Sequence, residues 1–152
     1  LEVAGPPVDP KTLTGPNRGI FTTTERSSMS QDALDYQSRL PGSVSDKKSQ
    51  KMLSPGLRYD NPNPRGKNYI LFDGLDLDDS KTLVDRKLGI ARSRKQKDAF
   101  LRWASGLRQN PDFKIRIEVP HERVQREVRD FVKTLKLEES VFNRIQVVEV
   151  PK

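Results

Sequence analysis

Apolar positions recur with two different periods in the second half of the chain. In "FKIRIEV" (113–119) Ile115, Ile117 and Val119 alternate with charged residues, which predicts a strand with one polar face. In "KQKDAFLRWASGL" (95–107) the apolar residues follow a helical spacing instead. This stretch therefore predicts a helix with one buried face, formed by Ala99, Phe100, Trp103, Ala104 and Leu107.

Hydrophobic periodicity and turn residues predict the remaining elements as well. "HERVQREVRDFVKTLKL" (121–137) is typical of an amphipathic helix, and "NRIQVVEV" (143–150) of a last strand. "NYILFD" (68–73) and "KTLVDRKLGI" (81–90) predict two strands joined as an antiparallel hairpin. A short helix is expected at 30–40, where Ser30 is suited to the N-cap position.

The predicted order is helix, strand, strand, helix, strand, helix, strand. This order indicates an α/β (α+β) fold with a mixed central sheet flanked by helices and a right-handed crossover between neighbouring strands. Residues 1–29 are rich in Pro and Thr and predict an extended N-terminal segment or linker. Residues 30–152 are expected to form one domain, with an irregular loop from Pro41 to Lys67.

Charge and composition narrow the functional classes. Lys and Arg total 28 against 21 acidic residues, so the net charge of +7 favours a polyanionic ligand or an acidic protein partner. The sequence contains no cysteine and a single histidine, His121, which excludes disulfides, thiol nucleophiles and multi-histidine metal sites. No apolar run approaches the roughly 18 residues that a membrane-spanning helix needs.

Five aspartates lie in "FDGLDLDDSKTLVDRK" (72–87), although the chain is basic. Side chains alternate along a strand, so Leu83, Asp85 and Lys87 are expected to share one face. Asp73 ends the preceding strand, and pairing of the two strands would bring it towards Asp85. Two carboxylates with water suit Mg²⁺ (or Mn²⁺), while Lys87 is placed to act on an attacking water or on transition-state charge. Asp76, Asp78 and Asp79 are interpreted as solvated turn residues.

Two other interpretations apply to this stretch. Asp76, Asp78 and Ser80 have the first spacings of an EF-hand loop, but Lys81 and Lys87 occupy the positions that require Gly and Glu, which excludes it. Asp85 and Lys87 are also compatible with an ordinary ion pair at a strand edge.

"FDG" at the end of one strand followed by "LVDRK" on the next resembles the PD-(D/E)xK superfamily. More narrowly, it is similar to the nuclease domains of restriction-endonuclease fold at the C-termini of bacterial polymorphic toxins. "DALDYQSRLPGS" (32–43) resembles the Tyr-Gln helix that precedes the FDG strand in such toxins, and "IRIEVP" (115–120) resembles their C-terminal half. The resemblance covers roughly residues 30–150.

This resemblance implies roles for particular residues. Asp73 and Asp85 would bind the metal, Lys87 would serve the catalytic water, and Gln37 would support the site. RecB-like relatives carry a Gln-x-x-x-Tyr helix motif, where this chain has Gln96 followed by Phe100. Gln96 is therefore a candidate for contact with substrate or metal-bound water. An acid on the first helix is also common in the superfamily, for which Glu25, Asp32 and Asp35 are the candidates.

"ARSRKQK" (91–97) carries a basic patch directly downstream of Lys87, formed by Arg92, Arg94, Lys95 and Lys97. Such a patch is suited to phosphate contacts without base specificity, and the alternative is a solvated helix start. Trp103 lies on the apolar helix face and is interpreted as core rather than as a base-stacking residue. His121 is interpreted as a surface residue.

Together these features predict a metal-dependent endonuclease acting on phosphodiester bonds, with DNA favoured over RNA. By the resemblance it would be the toxin module of a secreted or contact-delivered effector in interbacterial competition, excised from a longer polypeptide and acting in the target-cell cytoplasm. Its expected partners are nucleic acid and a cognate acidic immunity protein. The alternatives are a non-catalytic basic module that binds nucleic acid or an acidic protein, and a toxin that cleaves tRNA without a metal.

Overall fold

The computed structural model of the chain describes residues 7–26, 44–46 and 51–151. The helix predicted at 30–40, and with it Gln37, Asp32 and Asp35, lies outside the described residues. The described part contains two four-stranded sheets and three α-helices.

The first sheet is built around one long strand, β3 (Lys51–Arg58). Strand β1 (Ile20–Arg26) pairs with β3 in the antiparallel direction over the whole length of β1. Two short strands pair with β3 as well, β2 (Val44–Asp46) near its beginning and β4 (Tyr69–Leu71) near its end, both antiparallel. A 3₁₀ turn at Pro10–Thr12, capped by Asp9, precedes this sheet.

The second sheet has the order β5-β6-β7-β8. Its strands are β5 (Gly74–Leu75), β6 (Thr82–Arg86), β7 (Lys114–Val119) and β8 (Ile145–Glu149). β5 and β6 are antiparallel, whereas β6, β7 and β8 run parallel. Parallel neighbours need a long connection, and here each connection contains a helix: α1 (Arg94–Gln109) joins β6 to β7, and α2 (Glu122–Thr134) joins β7 to β8. The short α3 (Glu139–Phe142) precedes β8.

Both long helices cover the same face of the second sheet. Their buried residues join one hydrophobic cluster with Leu83, Ile115 and Ile117, which the alternation of strand side chains puts on that face. Phe100 of α1 meets Phe131 of α2 edge to face, with ring centroids 5.4 Å apart. Leu57 of the first sheet belongs to the same cluster, so α1 packs against both sheets.

The predicted mixed α/β class and the elements after residue 90 are confirmed, with helices at 94–109 and 122–134 and strands at 114–119 and 145–149. The hairpin forms too, but its first strand is Gly74–Leu75, because Tyr69–Leu71 pairs with β3 instead. The irregular loop predicted from Pro41 to Lys67 is wrong, since β2 and β3 lie within it. No strand was predicted in residues 1–29, where β1 occurs; the division into segment and domain stays a prediction.

No helix in the described part of the chain combines the length and the hydropathy that a membrane span requires.

Candidate metal and catalytic site

Asp73 lies where the chain passes from the first sheet to the second. The amide of the residue before it, Phe72, still donates to the carbonyl of Pro55 in β3 at 2.8 Å, whereas the amide of Asp73 donates to Val84 in β6 at 3.0 Å. The Asp73 carboxylate Oδ2 then accepts a hydrogen bond from the backbone N–H of Arg86 at 2.8 Å. Backbone contacts to β6 therefore fix this carboxylate next to the strand that carries Asp85.

Asp85 and Lys87 share the face of β6 that the sequence predicted. Oδ2 of Asp85 lies 3.2 Å from Nζ of Lys87, and the two side chains are 16% and 17% exposed. The ion pair is thus partly buried rather than at a solvated strand edge. Gly74, the residue after Asp73, is a strand residue paired with Val84.

The two carboxyl groups meet in a poorly solvated place. Asp73 is only 8% exposed. Burial, and then the negative charge of Asp85, raise the pKa of Asp73 well above its ordinary value, and a hydrogen bond between the two carboxyl groups raises it further. The amide of Arg86 and the ammonium of Lys87 oppose this rise in the pKa. When both carboxyl groups are ionised, two negative charges face one ammonium, and a cation would neutralise the excess.

One carboxylate oxygen has an unused hydrogen-bonding capacity. Oδ2 of Asp85 is buried and accepts no hydrogen bond of normal geometry within the described residues, despite its closeness to Lys87. The ion pair with Lys87 offsets the charge of this oxygen but leaves its hydrogen-bonding capacity unfilled, which is unfavourable in a buried place. Together with the neighbouring Asp73 carboxylate it offers the hard oxygen donors that Mg²⁺ and Mn²⁺ prefer, so the residues present fit such an ion.

No group of three or more acidic or histidine side chains suited to a metal occurs in residues 7–26, 44–46 and 51–151. Mg²⁺ is commonly held by one or two carboxylates with water completing its coordination, so this pair is enough for a sparse site. The remaining acidic candidates from the sequence are not tested, since Asp32, Asp35 and the side chain of Glu25 lie outside the described part.

The ammonium of Lys87 rests on two aromatic rings from α1. Nζ lies 5.6 Å from the ring centroid of Phe100 and 5.6 Å from that of Trp103. The two rings stack on each other with centroids 4.6 Å apart and planes inclined by 18°. Both rings are core, as predicted, but their contact with the lysine was missed. The only sequence signal for this contact was that Phe100 and Trp103 lie about one helical turn apart, on the helix that begins near Gln96.

The opposite face of β6 and β7 carries a chain of ion pairs. Arg86 Nε lies 2.7 Å from Glu118 Oε1, and each of these side chains is only 8% exposed. Arg116 continues the chain, at 3.0 Å from Glu118 and 2.7 Å from Asp76. This network connects β6, β7 and the turn after β5, and so fixes the strand from which Asp85 and Lys87 project on the other face.

The three intervening aspartates have different surroundings. Asp76 is not the solvated turn residue that the sequence suggested, because the hydrogen bond from Arg116 holds it and lowers its pKa. Asp79 organises the turn, accepting from the backbone N–H of Lys81 and Thr82 and from the Thr82 hydroxyl, at 2.8, 3.0 and 2.7 Å. Asp78 is exposed, as predicted.

The basic patch is exposed at the N-terminal end of α1. Arg92, Arg94, Lys95 and Lys97 are all exposed, and none of them forms an ion pair with another described residue. Gln96 lies in the first turn of α1, one turn before Phe100, with a partly buried side chain that makes no hydrogen bond within the described residues. Its contact with substrate or metal stays a prediction, as does the supporting role of Gln37.

Comparisons with family models, with curated proteins and with solved structures find no match to this chain.

Proposed function

We propose that the chain is a metal-dependent nuclease that hydrolyses phosphodiester bonds, with DNA favoured over RNA as substrate. The observation that carries the proposal is the meeting of two poorly solvated carboxyl groups, Asp73 and Asp85, beside the ammonium of Lys87; a buried oxygen of Asp85 lies 3.2 Å from that ammonium and accepts no hydrogen bond of normal geometry within the described residues. A purely structural ion pair between Asp85 and Lys87 does not account for a second carboxyl group buried against the first.

Asp73 and Asp85 would hold Mg²⁺ or Mn²⁺ through their carboxylate oxygens. When bound, such an ion polarises a phosphoryl oxygen and favours formation of a hydroxide nucleophile. The protein holds its two ligands by different means: the amide of Arg86 orients Asp73, and Lys87 orients Asp85. Orienting contacts of this kind keep a ligand in place while the charge at the site changes.

Lys87 would act at its ammonium nitrogen. With Asp85 at 3.2 Å and two aromatic rings beneath it, Nζ has a confined position and remaining N–H groups that can donate. It would donate a hydrogen bond to the attacking water or to a non-bridging phosphate oxygen, where negative charge grows in the transition state. The aromatic faces attract the cation without withdrawing any of its donors.

The exposed patch Arg92, Arg94, Lys95 and Lys97 would bind the phosphate backbone next to this site. Lysine and arginine side chains without an acidic partner are available to polyanions, and phosphate contacts of this kind position a substrate without selecting its sequence. The restriction-endonuclease-like fold belongs to this proposal, supported by the order of an antiparallel hairpin followed by parallel strands and helices.

We further propose the biological role of an antibacterial toxin module from a secreted or contact-delivered effector. The resemblance of "FDG" and "LVDRK" to polymorphic-toxin nucleases supports it, and the net charge of +7 supports an acidic immunity protein as partner. The site of action would be the cytoplasm of a target cell.

The test compares Asp85→Ala and Lys87→Ala with the unchanged chain on plasmid DNA and total RNA in Mg²⁺. Each substitution is expected to reduce cleavage about 100-fold or more, because Asp85→Ala removes a ligand of the metal on which the reaction depends, and a positioned group such as Lys87 usually contributes at least that much. Binding to the same nucleic acid should persist. Asp78→Ala is the matched control, since Asp78 is an exposed residue in the same stretch. This variant should cleave nucleic acid as well as the unchanged chain does.

Equal cleavage by Lys87→Ala, Asp85→Ala and the unchanged chain would place the chemistry elsewhere. Binding by all of them without cleavage by any would favour a non-catalytic nucleic-acid-binding module, which the exposed basic patch also supports.

A further inference from the structure

A cavity of about 580 Å³ lies between α2 and β8, the last strand of the second sheet. Arg129, Val132 and Lys133 of α2, Phe142 of α3 and residues 145–148 of β8 line it. Within the described residues β8 has a neighbouring strand, β7, on one side only. Because residues from both faces of β8 line it, the cavity reaches this open edge of the sheet, two strands or about 10 Å from β6.

The backbone along the open edge of β8 has hydrogen-bonding groups without a partner strand. The carbonyl of Arg144 and the N–H of Val150 both bond to β7, at 2.8 and 2.7 Å. Backbone groups of successive strand residues point to alternate sides, so those of Ile145, Val147 and Glu149 face outward. The N–H groups of these three residues donate no hydrogen bond within the described part of the chain. A strand edge of this kind can pair with a strand of another chain.

Val147 lies where this edge meets α2. Its carbonyl accepts a hydrogen bond from Nε2 of Gln125 at 3.0 Å and one from Nη2 of Arg129 at 3.2 Å. These contacts hold the Arg129 guanidinium beside the edge, and most of its five N–H groups remain available to a ligand. The carbonyls of Ile145 and Glu149 accept no hydrogen bond within the described residues, so both remain open to an added strand.

The cavity carries two positive charges that no described residue neutralises. Arg129 and Lys133 are exposed and lie four residues apart, on one face of α2. Neither forms an ion pair within the described residues, and no acidic residue lines the cavity. Val132, Phe142 and Ile145 supply apolar surface beside them. This combination suits a protein segment that carries both carboxylates and apolar side chains.

Two other occupants suit this surface less well. A polynucleotide backbone would meet only two cations beside a largely apolar wall, whereas phosphate recognition relies on several Lys and Arg side chains. A second copy of the chain, paired β8 to β8 across a two-fold axis, would bring Arg129 and Lys133 of both copies together, and like charges in close contact are unfavourable. An acidic protein meets neither objection, and the net charge of +7 attracts it.

We infer that the outer edge of β8 binds an extended segment of an acidic protein partner, which adds a strand to the second sheet and places a carboxylate against Arg129 and Lys133. Apolar side chains of the segment would enter the cavity beside Val132 and Phe142. The inference rests on the proposed function only in that an acidic partner belongs to it. Arg129 and Lys133 take no part in the proposed cleavage, so the two proposals can fail separately.

The test measures binding of a fluorescein-labelled synthetic peptide of about ten residues, the length of a long strand, in which Glu alternates with Val or Thr. A second peptide has Lys in place of each Glu. The unchanged chain should bind the Glu peptide and not the Lys peptide. Arg129→Gln with Lys133→Gln should weaken binding of the Glu peptide about tenfold or more, because each substitution removes a charged contact to a carboxylate.

Arg126→Gln with Lys11→Gln is the matched control, because both residues are exposed, neither lines the cavity, and the net charge falls by the same amount. This control should bind the Glu peptide as the unchanged chain does. Circular dichroism should show both double variants folded, as expected for surface substitutions. Both should also cleave plasmid DNA as the unchanged chain does, which separates this surface from the candidate site.

Amide hydrogen exchange followed by NMR tests the added strand directly. When the Glu peptide is added, exchange at the N–H groups of Ile145, Val147 and Glu149 should slow, because these groups gain hydrogen-bond partners. The N–H groups of Gln146 and Val148 already face β7, so they serve as the internal control.

The inference is overturned if the unchanged chain does not bind the Glu peptide, binds both peptides equally, or binds no more tightly than the Arg129→Gln, Lys133→Gln chain. Unchanged exchange at the outward N–H groups in the peptide complex would exclude an added strand. Weaker DNA binding by the double variant, with peptide binding intact, would assign the two cations to nucleic acid instead. If a chain that does not cut nucleic acid binds the Glu peptide as expected, the nuclease proposal fails and this surface stands.

Discussion

Asp73 occupies a position in the fold that is unfavourable for an ionised carboxyl group. Its carboxyl group is 8% exposed, faces Asp85 and has a pKa raised well above the ordinary range, mainly by burial and then by the Asp85 charge. Without a cation, ionised Asp73 is destabilising, since burial removes water and Asp85 repels it. A bound cation would explain why Asp73 is buried against Asp85, whereas the stability of the fold alone does not require this arrangement.

This predicts an unusual pH dependence for the metal-free protein. A carboxyl group whose pKa is raised in the folded state stabilises the fold below its unfolded pKa, near 3.9 for aspartate, and that stabilisation is lost as the pH rises through the folded pKa. Asp73→Asn removes the titration and keeps an oxygen to accept from the Arg86 amide. In EDTA at neutral pH the free energy of unfolding of the variant should therefore exceed that of the unchanged chain by about 1 kcal/mol. The variant should accordingly unfold at a higher temperature.

Thermal unfolding followed between about pH 4 and pH 8 checks this, because the difference between the two chains should grow as pH rises. Mg²⁺ should raise the melting temperature of the unchanged chain and not of Asp73→Asn. A variant less stable than the unchanged chain in EDTA at neutral pH contradicts the assignment of Asp73 to a cation site.

At the scale of elements, α1 and β6 build the site together. The strand presents Asp85 and Lys87 on one face, and the helix places Phe100 and Trp103 beneath the lysine ammonium at 5.6 Å each. The ion pairs of Arg86 with Glu118 and of Glu118 with Arg116 stabilise the register of β6 from the other face. Core packing and the position of a functional group thus depend on the same two rings.

Trp103→Leu tests this coupling. It keeps an apolar core residue but removes one ring below Nζ, so the turnover number should fall about tenfold, in line with a cation–π energy of 0.5–2 kcal/mol, while KM changes little. Leu107→Ala is a buried change one turn further along α1, at a residue that is not one of the two rings below Nζ, and it should cost about 2–5 kcal/mol of stability.

Steady-state kinetics well below both melting temperatures separate the two effects. If Leu107→Ala lowers the turnover number as much as Trp103→Leu does, at equal fractions of folded protein, then the aromatic rings do not support catalysis through Lys87.

The sequence predicted α1, α2, β7 and β8 because their burial follows a regular period, as in the alternation of Ile115 and Ile117. It did not predict β3, where Pro55 and Gly56 are turn-forming residues by local preference. The strand tolerates them through tertiary packing: a β-carbon at Gly56 would lie 2.5 Å from the ring of Phe21, so glycine lets β1 and β3 approach. The alternation along β6 put Asp85 and Lys87 on one face, but the support of Lys87 by α1 depends on contacts distant in sequence.

At the scale of the whole molecule, the chain changes sheets at Phe72 and Asp73, and the candidate site lies at this change. The N-terminal region is attached to the same body by the contact of Gly19 with Asn110 at 2.8 Å and the ion pair of Arg18 with Asp60 at 3.1 Å. The whole chain carries a net charge of +7, whereas the candidate site brings two carboxyl groups together. In the proposed function, a basic surface would hold a polyanion and a cation would lie between its phosphate and the two acids.

Metal-dependent cleavage is tested most directly by incubating plasmid DNA and total RNA with the unchanged chain in Mg²⁺, in EDTA, and in EDTA followed by excess Mg²⁺. We predict cleavage in Mg²⁺, its loss in EDTA and its return when Mg²⁺ is restored, because in the proposed site Asp73 and Asp85 act through the ion. Cleavage that continues in EDTA would contradict metal-dependent catalysis and favour a metal-independent nuclease.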